Sequence, residues 1–234
     1  AARPPRWGLK GGGRVGFGPP PTPNEPTAVS GVGVAPRVPQ TISCGAFHSA
    51  VVTVSGSLHT WGNGRAGRLG HGCEEDHLRP RRVRAPSEQS PLLDSSLVQS
   101  FLGVACGAAF TVAVVASPGG CTLWTTGQGW DGELGIGRVG QGAFATSFAL
   151  VPLPRPAARV RCLAARDGVI AIFDDGSAFA WGTTGAVAGR RHASPVPAES
   201  LRGVREVALG QRPFAVVVDA EGGIICVRTC LGGG

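Results

Sequence analysis

The stretch ISCGAFHSAVVTVSGSLHTWGNGRAGRLGHG, residues 42–72, decides the fold. Ser49–Val54 and Leu58–Trp61 are two β-prone runs, and Ser55-Gly56-Ser57 between them supplies a tight turn. After Trp61 come Gly62, Gly64, Gly67, Gly70 and Gly72, which allow left-handed backbone and close chain approach. The pattern recurs as VACGAAFTVAVVASPGGCTLWTTGQGWDGELGIG (104–137) and more weakly as VRCLAARDGVIAIFDDGSAFAWGTTG (160–185). A shortened copy is VALGQRPFAVVVDAEGGIICV (207–227), and WGLKGGGRVGFG (7–18) carries the tail of one further unit. Repetition at this period signals a propeller or a solenoid.

The later copies replace the first turn with Ser117-Pro118-Gly119-Gly120, Asp174-Asp175-Gly176-Ser177 and Asp219-Ala220-Glu221-Gly222-Gly223. Each supplies Gly or Asp where the backbone must reverse. The strands before these turns (Ala50–Val54, Thr111–Val115, Val169–Phe173, Ala215–Val218) are almost wholly apolar, which implies burial on both faces. Such strands fit between neighbouring propeller blades. Pro-containing segments at Ala35–Val38, Arg79–Val83, Leu150–Pro152 and Pro195–Pro197 follow the glycine loops and read as outer edge strands, because proline cannot donate to a ladder. Tryptophan intervals of 54, 63 and 57 residues (Trp7, Trp61, Trp124, Trp181) correspond to one four-stranded blade each, with residues 86–102 and 138–149 as extra loop. Cys44, Cys106 and Cys162 are expected at one phase of the repeat, where the fourth copy has Leu209.

The expected fold is an all-β propeller of about four blades, either a closed small ring or an open arc. Residues 41–230 are assigned to it, and residues 1–40 to a proline-rich arm that includes the half-repeat 7–18. The 234 residues carry a net charge of +7, with Lys10 the only lysine. A basic balance supports contact with RNA, DNA or an acidic protein and says nothing of fold. Arg3, Arg6, Lys10 and Arg14 precede the first acid, Glu25, as in an organellar import sequence. The expected location is therefore mitochondrial, with nuclear or cytosolic as the alternative. No run of 18 apolar residues exists, so no membrane span is expected. Seven cysteines without paired spacing fit free thiols in a reducing compartment.

Val/Ile-x-Cys-Gly-x-x-His-Ser, then Trp-Gly, then the glycine loop GRAGRLGHG (64–72), then Pro-x-x-Val resembles the regulator of chromosome condensation repeat. The resemblance runs from residue 7 to about 227 and weakens after 160, where Cys162-Leu163 stands for Cys-Gly and Val187-Ala188-Gly189 erodes the loop. It implies a β-propeller, usually of seven blades in this family. A WD-repeat propeller is disfavoured, because Trp130-Asp131 falls inside a glycine loop.

Catalytic chemistry has little support. His48 begins a strand at the family's usual histidine position and reads as structural. His71, Cys73 and His77 with Glu74, Glu75 and Asp76 lack paired ligand spacing, as do Cys226 and Cys230, so no metal and no cofactor is expected. Asp174-Asp175 reads as a turn. No nucleophile elbow and no phosphate-binding loop is present, and the chain is not expected to be an enzyme. The candidate binding residues are Arg65, Arg68, Arg79, Arg81, Arg82 and Arg84, a basic edge suited to phosphate backbone. Arg190-Arg191 is a weaker copy. The competing reading is an edge protected from strand addition by charge.

The expected function is a non-catalytic scaffold within a larger, ribosome-associated assembly. Its partners would be protein subunits and RNA at the arginine edge. The resemblance implies an alternative, guanine-nucleotide exchange on a small GTPase with chromatin or protein docking. A light-sensing role like that of the family's ultraviolet-B photoreceptor is set aside, because only Gly129-Trp130 of the required Gly-Trp-Arg-His-Thr motif is present.

Overall fold

The computed structural model describes residues 14, 16, 29, 39–85, 100–154, 158–184, 191–210 and 214–228. Most of the arm 1–40, with its half-repeat and Ala35–Val38, lies outside the described residues, as do Val187-Ala188-Gly189, Arg190 and Cys230. The described chain forms four antiparallel sheets in sequence order. The first contains β1 (Pro39–Cys44), β2 (His48–Thr53), β3 (Leu58–Gly62) and β4 (His77–Arg82). The second contains β5 (Phe101–Cys106), β6 (Phe110–Ser117), β7 (Gly120–Gln128) and β8 (Phe144–Leu150). The third contains β9 (Val160–Ala165), β10 (Gly168–Phe173), β11 (Ala178–Gly182) and β12 (His192–Pro197). The fourth has three described strands, β13 (Glu206–Leu209), β14 (Phe214–Val218) and β15 (Ile224–Arg228).

Within each sheet the chain meanders from one edge to the other, and the first strands touch in series: β1 with β5, β5 with β9, β9 with β13. These four strands therefore lie innermost, and the sheets are the blades of a four-bladed β-propeller. Among the described residues no packing of comparable extent joins β13 to β1.

Local chemistry repeats with the blades. The β2–β3, β6–β7, β10–β11 and β14–β15 turns each place a glycine at positive φ: Gly56 at 74°, Gly119 at 83°, Gly176 at 80° and Gly222 at 90°. Asp175 stabilises its turn by accepting from the Ser177 amide at 2.9 Å, and Asp219 does so by accepting from Gly223 at 2.6 Å. Where the third strand meets the outer one, the register shifts around Gly62, Gly127 and Gly182. β4 and β12 carry the expected prolines at the outer edge. Residues 144–149, expected as loop, belong to outer strand β8.

The seams between blades are where most apolar surface is buried. Ala50, Val52 and Leu58 of the first blade pack on Phe101, Val104, Cys106, Ala113 and Val115 of the second. Val112, Val114 and Leu123 meet Val169, Ala171, Phe173 and Trp181, and Ile170, Ile172, Ala178 and Ala180 meet Val207, Ala215 and Val217. Each fully buried Val, Leu or Ile contributes about 1.5–3 kcal/mol. β2 and β10 are buried along their whole length, but Val54 of the expected run Ala50–Val54 lies past β2 and is exposed, and in β14 Val216 faces away from the third blade and is exposed.

Two expected equivalences are corrected. Gly62, Gly127 and Gly182 occupy matching positions, paired with His48, Phe110 and Gly168. Thr126, and not Trp124, therefore matches Trp61 and Trp181. Trp124 stands two residues earlier and bonds its own strand through Thr122 Oγ1 at 2.9 Å. Likewise Cys106, Cys44, Ala165 and Leu209 match one another, paired with Thr111, Ser49, Val169 and Ala215. Cys162 lies three residues before that position.

Candidate interaction surfaces

Each glycine loop rests on the following blade. The Gly72 amide donates to Thr146 O at 2.9 Å, and the Gly137 amide donates to Ala193 O at 2.7 Å. Trp181 Nε1 donates to Glu133 O, and Trp61 Nε1 donates to Arg14 O, both at 2.9 Å. Gly135 lies against the Trp181 indole and Gly16 against that of Trp61. Arg14 and Gly16 thus sit on the first blade where the Glu133–Gly135 loop sits on the third. In the second blade Thr126 Oγ1 lies 2.8 Å from both Gly67 O and Ala145 O, whose carbonyls share its one proton, and Phe148 from β8 fills the place of the indole against Gly70.

At the first seam, His48 Nε2 lies 2.8 Å from Thr111 Oγ1, and the Thr111 hydroxyl donates to Arg68 O at 2.7 Å. Threonine has one proton to give, so His48 donates from Nε2 and its Nδ1 is unprotonated. Burial, followed by the Arg68 charge, depresses the His48 pKa to about 3, so the ring is neutral. It is a structural strut, as read from sequence.

The predicted arginine edge divides. Arg79, Arg81 and Arg82 lie on β4, Arg84 just beyond it and Arg65 on the first glycine loop, all exposed. Val83 and Ala85 point into the seam core with Leu58, so Arg82 and Arg84 point to the opposite side of the sheet. Arg81, two residues before Val83, lies on the seam side and donates to His77 Nε2 at 2.9 Å, and Arg79 stands between them where the register shifts. The edge is thus two basic faces of one strand. His77 stacks edge-on against His71, whose pKa burial, His77 and Arg81 lower to about 4. His77 is lowered too, first by burial and then by Arg81. Both imidazoles are neutral near pH 7, so the edge's charge is arginine's alone.

Arg68 is corrected: it is 4% exposed and belongs to the core, not to an accessible edge. Its Nε donates to Arg65 O at 2.8 Å, and its guanidinium lies 5.4 Å from the Phe47 ring centre. The Arg14 guanidinium lies 5.4 Å from the same ring, so Phe47, 49% exposed, sits close to two cations. Sequence reading missed Phe47; its position in the β1–β2 hairpin beside two arginine-bearing loops was the available signal.

Two of the acids beside the edge, Glu74 and Asp76, accept from the loop. Asp76 accepts from the Gly64 amide at 2.8 Å and Asn63 Nδ2 at 3.0 Å, and Glu74 accepts from the Ala66 amide at 2.7 Å. Among the described residues no group of three His, Cys, Asp or Glu is placed to hold a metal, and no helix is long and apolar enough to cross a membrane. In the weaker basic copy, Arg191 pairs with Asp131 at 3.0 Å. Asp174 spends a carboxylate oxygen on the Arg159 amide at 3.0 Å, in keeping with a turn role.

Comparison with known proteins agrees with this architecture. Models of the regulator of chromosome condensation (RCC1) repeat match residues 55–114 and 40–68. The E3 ubiquitin-protein ligase HERC2 of Homo sapiens is 34% identical over 181 residues, covering 75% of this chain and 3% of that protein. The ultraviolet-B receptor UVR8 of Arabidopsis thaliana is 33% identical over 162 residues, covering 68% of this chain and 32% of the receptor. The chain therefore spans only a small part of these relatives' length. Among solved structures, Prp20p from Saccharomyces cerevisiae superposes with a TM-score of 0.61 at 19% identity, over 79% of this chain and 43% of that one. Together with the blade-to-blade recurrence of glycine loop and seam, these matches establish that the chain belongs to the regulator of chromosome condensation repeat family.

Proposed function

We propose that this chain is a non-catalytic binding platform: a β-propeller that docks protein subunits of a larger assembly and contacts RNA through β4. The observation that carries this reading is the state of β4. Arg79 and Arg81 are exposed on this strand, beside a loop whose Glu74 and Asp76 accept from backbone amides. Exposed arginines of this kind attract an anionic partner. The mitochondrial, ribonucleoprotein context is part of the proposal; what supports it is the arginine-rich, acid-free start of the chain.

The test is affinity capture of the full chain at rising salt. Co-purification with a large RNA-containing complex, lost at high salt and weakened by Arg79→Ala with Arg81→Ala, is expected. Each phosphate contact removed should lower the salt slope by about 1.

A second reading, exchange factor for a small GTPase, is favoured by family membership and by one of the solved structures, described by its binding of Prp20p to Gsp1p and histones. Fold does not fix function. Acceleration of GDP release from a GTPase by the purified chain would establish this reading and displace the scaffold.

A further inference from the structure

Among the described residues three phenylalanine or tryptophan side chains are exposed: Phe47, Trp130 and Phe144. Trp130, 43% exposed, lies near the start of the glycine loop between β7 and β8, and Phe144, 47% exposed, closes that loop. The loop is held by its own backbone. The Gly129 amide donates to Ala143 O at 2.7 Å, the Gly140 amide to Trp130 O at 2.9 Å, and the Asp131 amide to Glu133 Oε2 at 2.8 Å. Leu134, and not Trp130, supplies this loop's side chain to the core. The indole is thus presented to solvent on a preorganised segment, which lowers the ordering cost of binding.

The repeat sets Trp130 and Phe144 among cations. Gly62 and Gly127 match, so Trp130 takes in the second blade the place that exposed Arg65 takes in the first. The first blade's loop also reaches the second blade. Gly67 lies against Ala145 and Thr146, next to Phe144, and the Gly72 amide donates to Thr146 O. Asp76 accepts from the Gly64 amide and so ties this loop to the start of β4, which carries Arg79 and Arg81. Past Trp130, Arg138 is exposed, and Arg191 pairs with Asp131 at 3.0 Å. Arg65 and Phe144 therefore stand on neighbouring segments, as do Trp130 and Arg138, at the same end of two adjacent blades.

We infer that this surface binds single-stranded RNA, with unpaired bases stacked on Trp130 and Phe144 and phosphates held by Arg65 and Arg138. The inference rests on the RNA contact proposed above and names the form of RNA that makes it. Paired bases are stacked on one another inside a duplex, whereas unpaired bases are free to stack on aromatic rings. A basic surface that carries exposed aromatics suits a single strand and does not depend on its sequence. Val139 in the same loop is exposed too, so a protein docked on these apolar side chains is the competing outcome.

The test is fluorescence anisotropy of the purified full chain with two labelled RNAs, a uridine strand of about 12 nucleotides and a duplex of the same length, at one salt concentration. The single strand is expected to bind more tightly. Trp130→Ala and Phe144→Ala should each weaken it at least about fivefold, the low end for one base stacked on an aromatic ring, and leave the duplex unchanged. Trp130→Phe keeps a ring and should recover most of the loss. Both side chains are exposed, so the variants should fold, which circular dichroism checks. Equal binding of the two RNAs, or single-strand affinity unchanged in Trp130→Ala, overturns the inference. If Arg79→Ala with Arg81→Ala still weakens binding in that case, RNA contact at β4 stands without the aromatic rings. If neither RNA binds, both readings fail. A Trp130→Ala chain that binds RNA normally but loses a captured protein assigns the loop to that protein and overturns the inference.

Discussion

The indole nitrogen of Trp181 donates a 2.9 Å hydrogen bond to the carbonyl of Glu133, 48 residues earlier and in the preceding blade's loop. Trp181 is fully buried in the core of that seam. The contact ties the two blades together by one polar bond and a large apolar area. Trp181→Phe keeps most of the area and loses the bond, so a loss of about 1 kcal/mol is expected. Trp181→Ala should cost about 3–5 kcal/mol. Urea midpoints of the two variants check both values.

Glycine identity should matter where a loop presses on the next blade and little where it does not. Gly67 has φ of 75°, and a Cβ there would run into the backbone of Thr146 and Ala145. Gly140 has φ of 94° with nothing within 4 Å, and Gly103 has ordinary φ with room beside Val114. Left-handed backbone costs a non-glycine residue about 1–2 kcal/mol. Gly140→Ala should therefore cost about that much, Gly67→Ala clearly more, and Gly103→Ala least. Melting temperatures of the three variants should fall in that order.

Acid should weaken the fold through His48. Its folded pKa, about 3, lies below the ordinary value of 6.5. Between those values the unfolded chain binds a proton that the folded chain refuses, so stability rises with pH across this window and is lost as pH falls. One such group contributes a slope of about 1.4 kcal/mol per pH unit. His71, lowered to about 4, adds to it over the upper part of the window. Unfolding free energy from pH 7 to pH 4 should show this decline, and His48→Asn should flatten it by one proton. An unchanged slope in that variant would contradict a buried neutral His48.

The blade pattern was legible because its signals are local: Gly at four turns, apolar second strands and proline at outer edges. What escaped depends on neighbours distant in sequence. Trp124 looks like Trp61 in sequence, yet Thr126 takes that place, because Phe148 from β8 fills the volume and leaves room for a hydroxyl to reach Gly67. Arg68 looks like Arg65, one turn apart on the same loop, yet burial beside Phe47 removes it from the surface. The arginine stripe read as one surface because sequence does not show which faces β4 presents.

The stacking of successive blades is tested most directly by a double-mutant cycle on His48 and Thr111, 63 residues apart and 2.8 Å across the first seam. His48→Ala, Thr111→Ala and the double variant are compared by urea unfolding. Stacked blades predict an interaction energy of about 0.5–3 kcal/mol between the two sites. Additivity within about 0.3 kcal/mol would place the residues out of contact and contradict the seam.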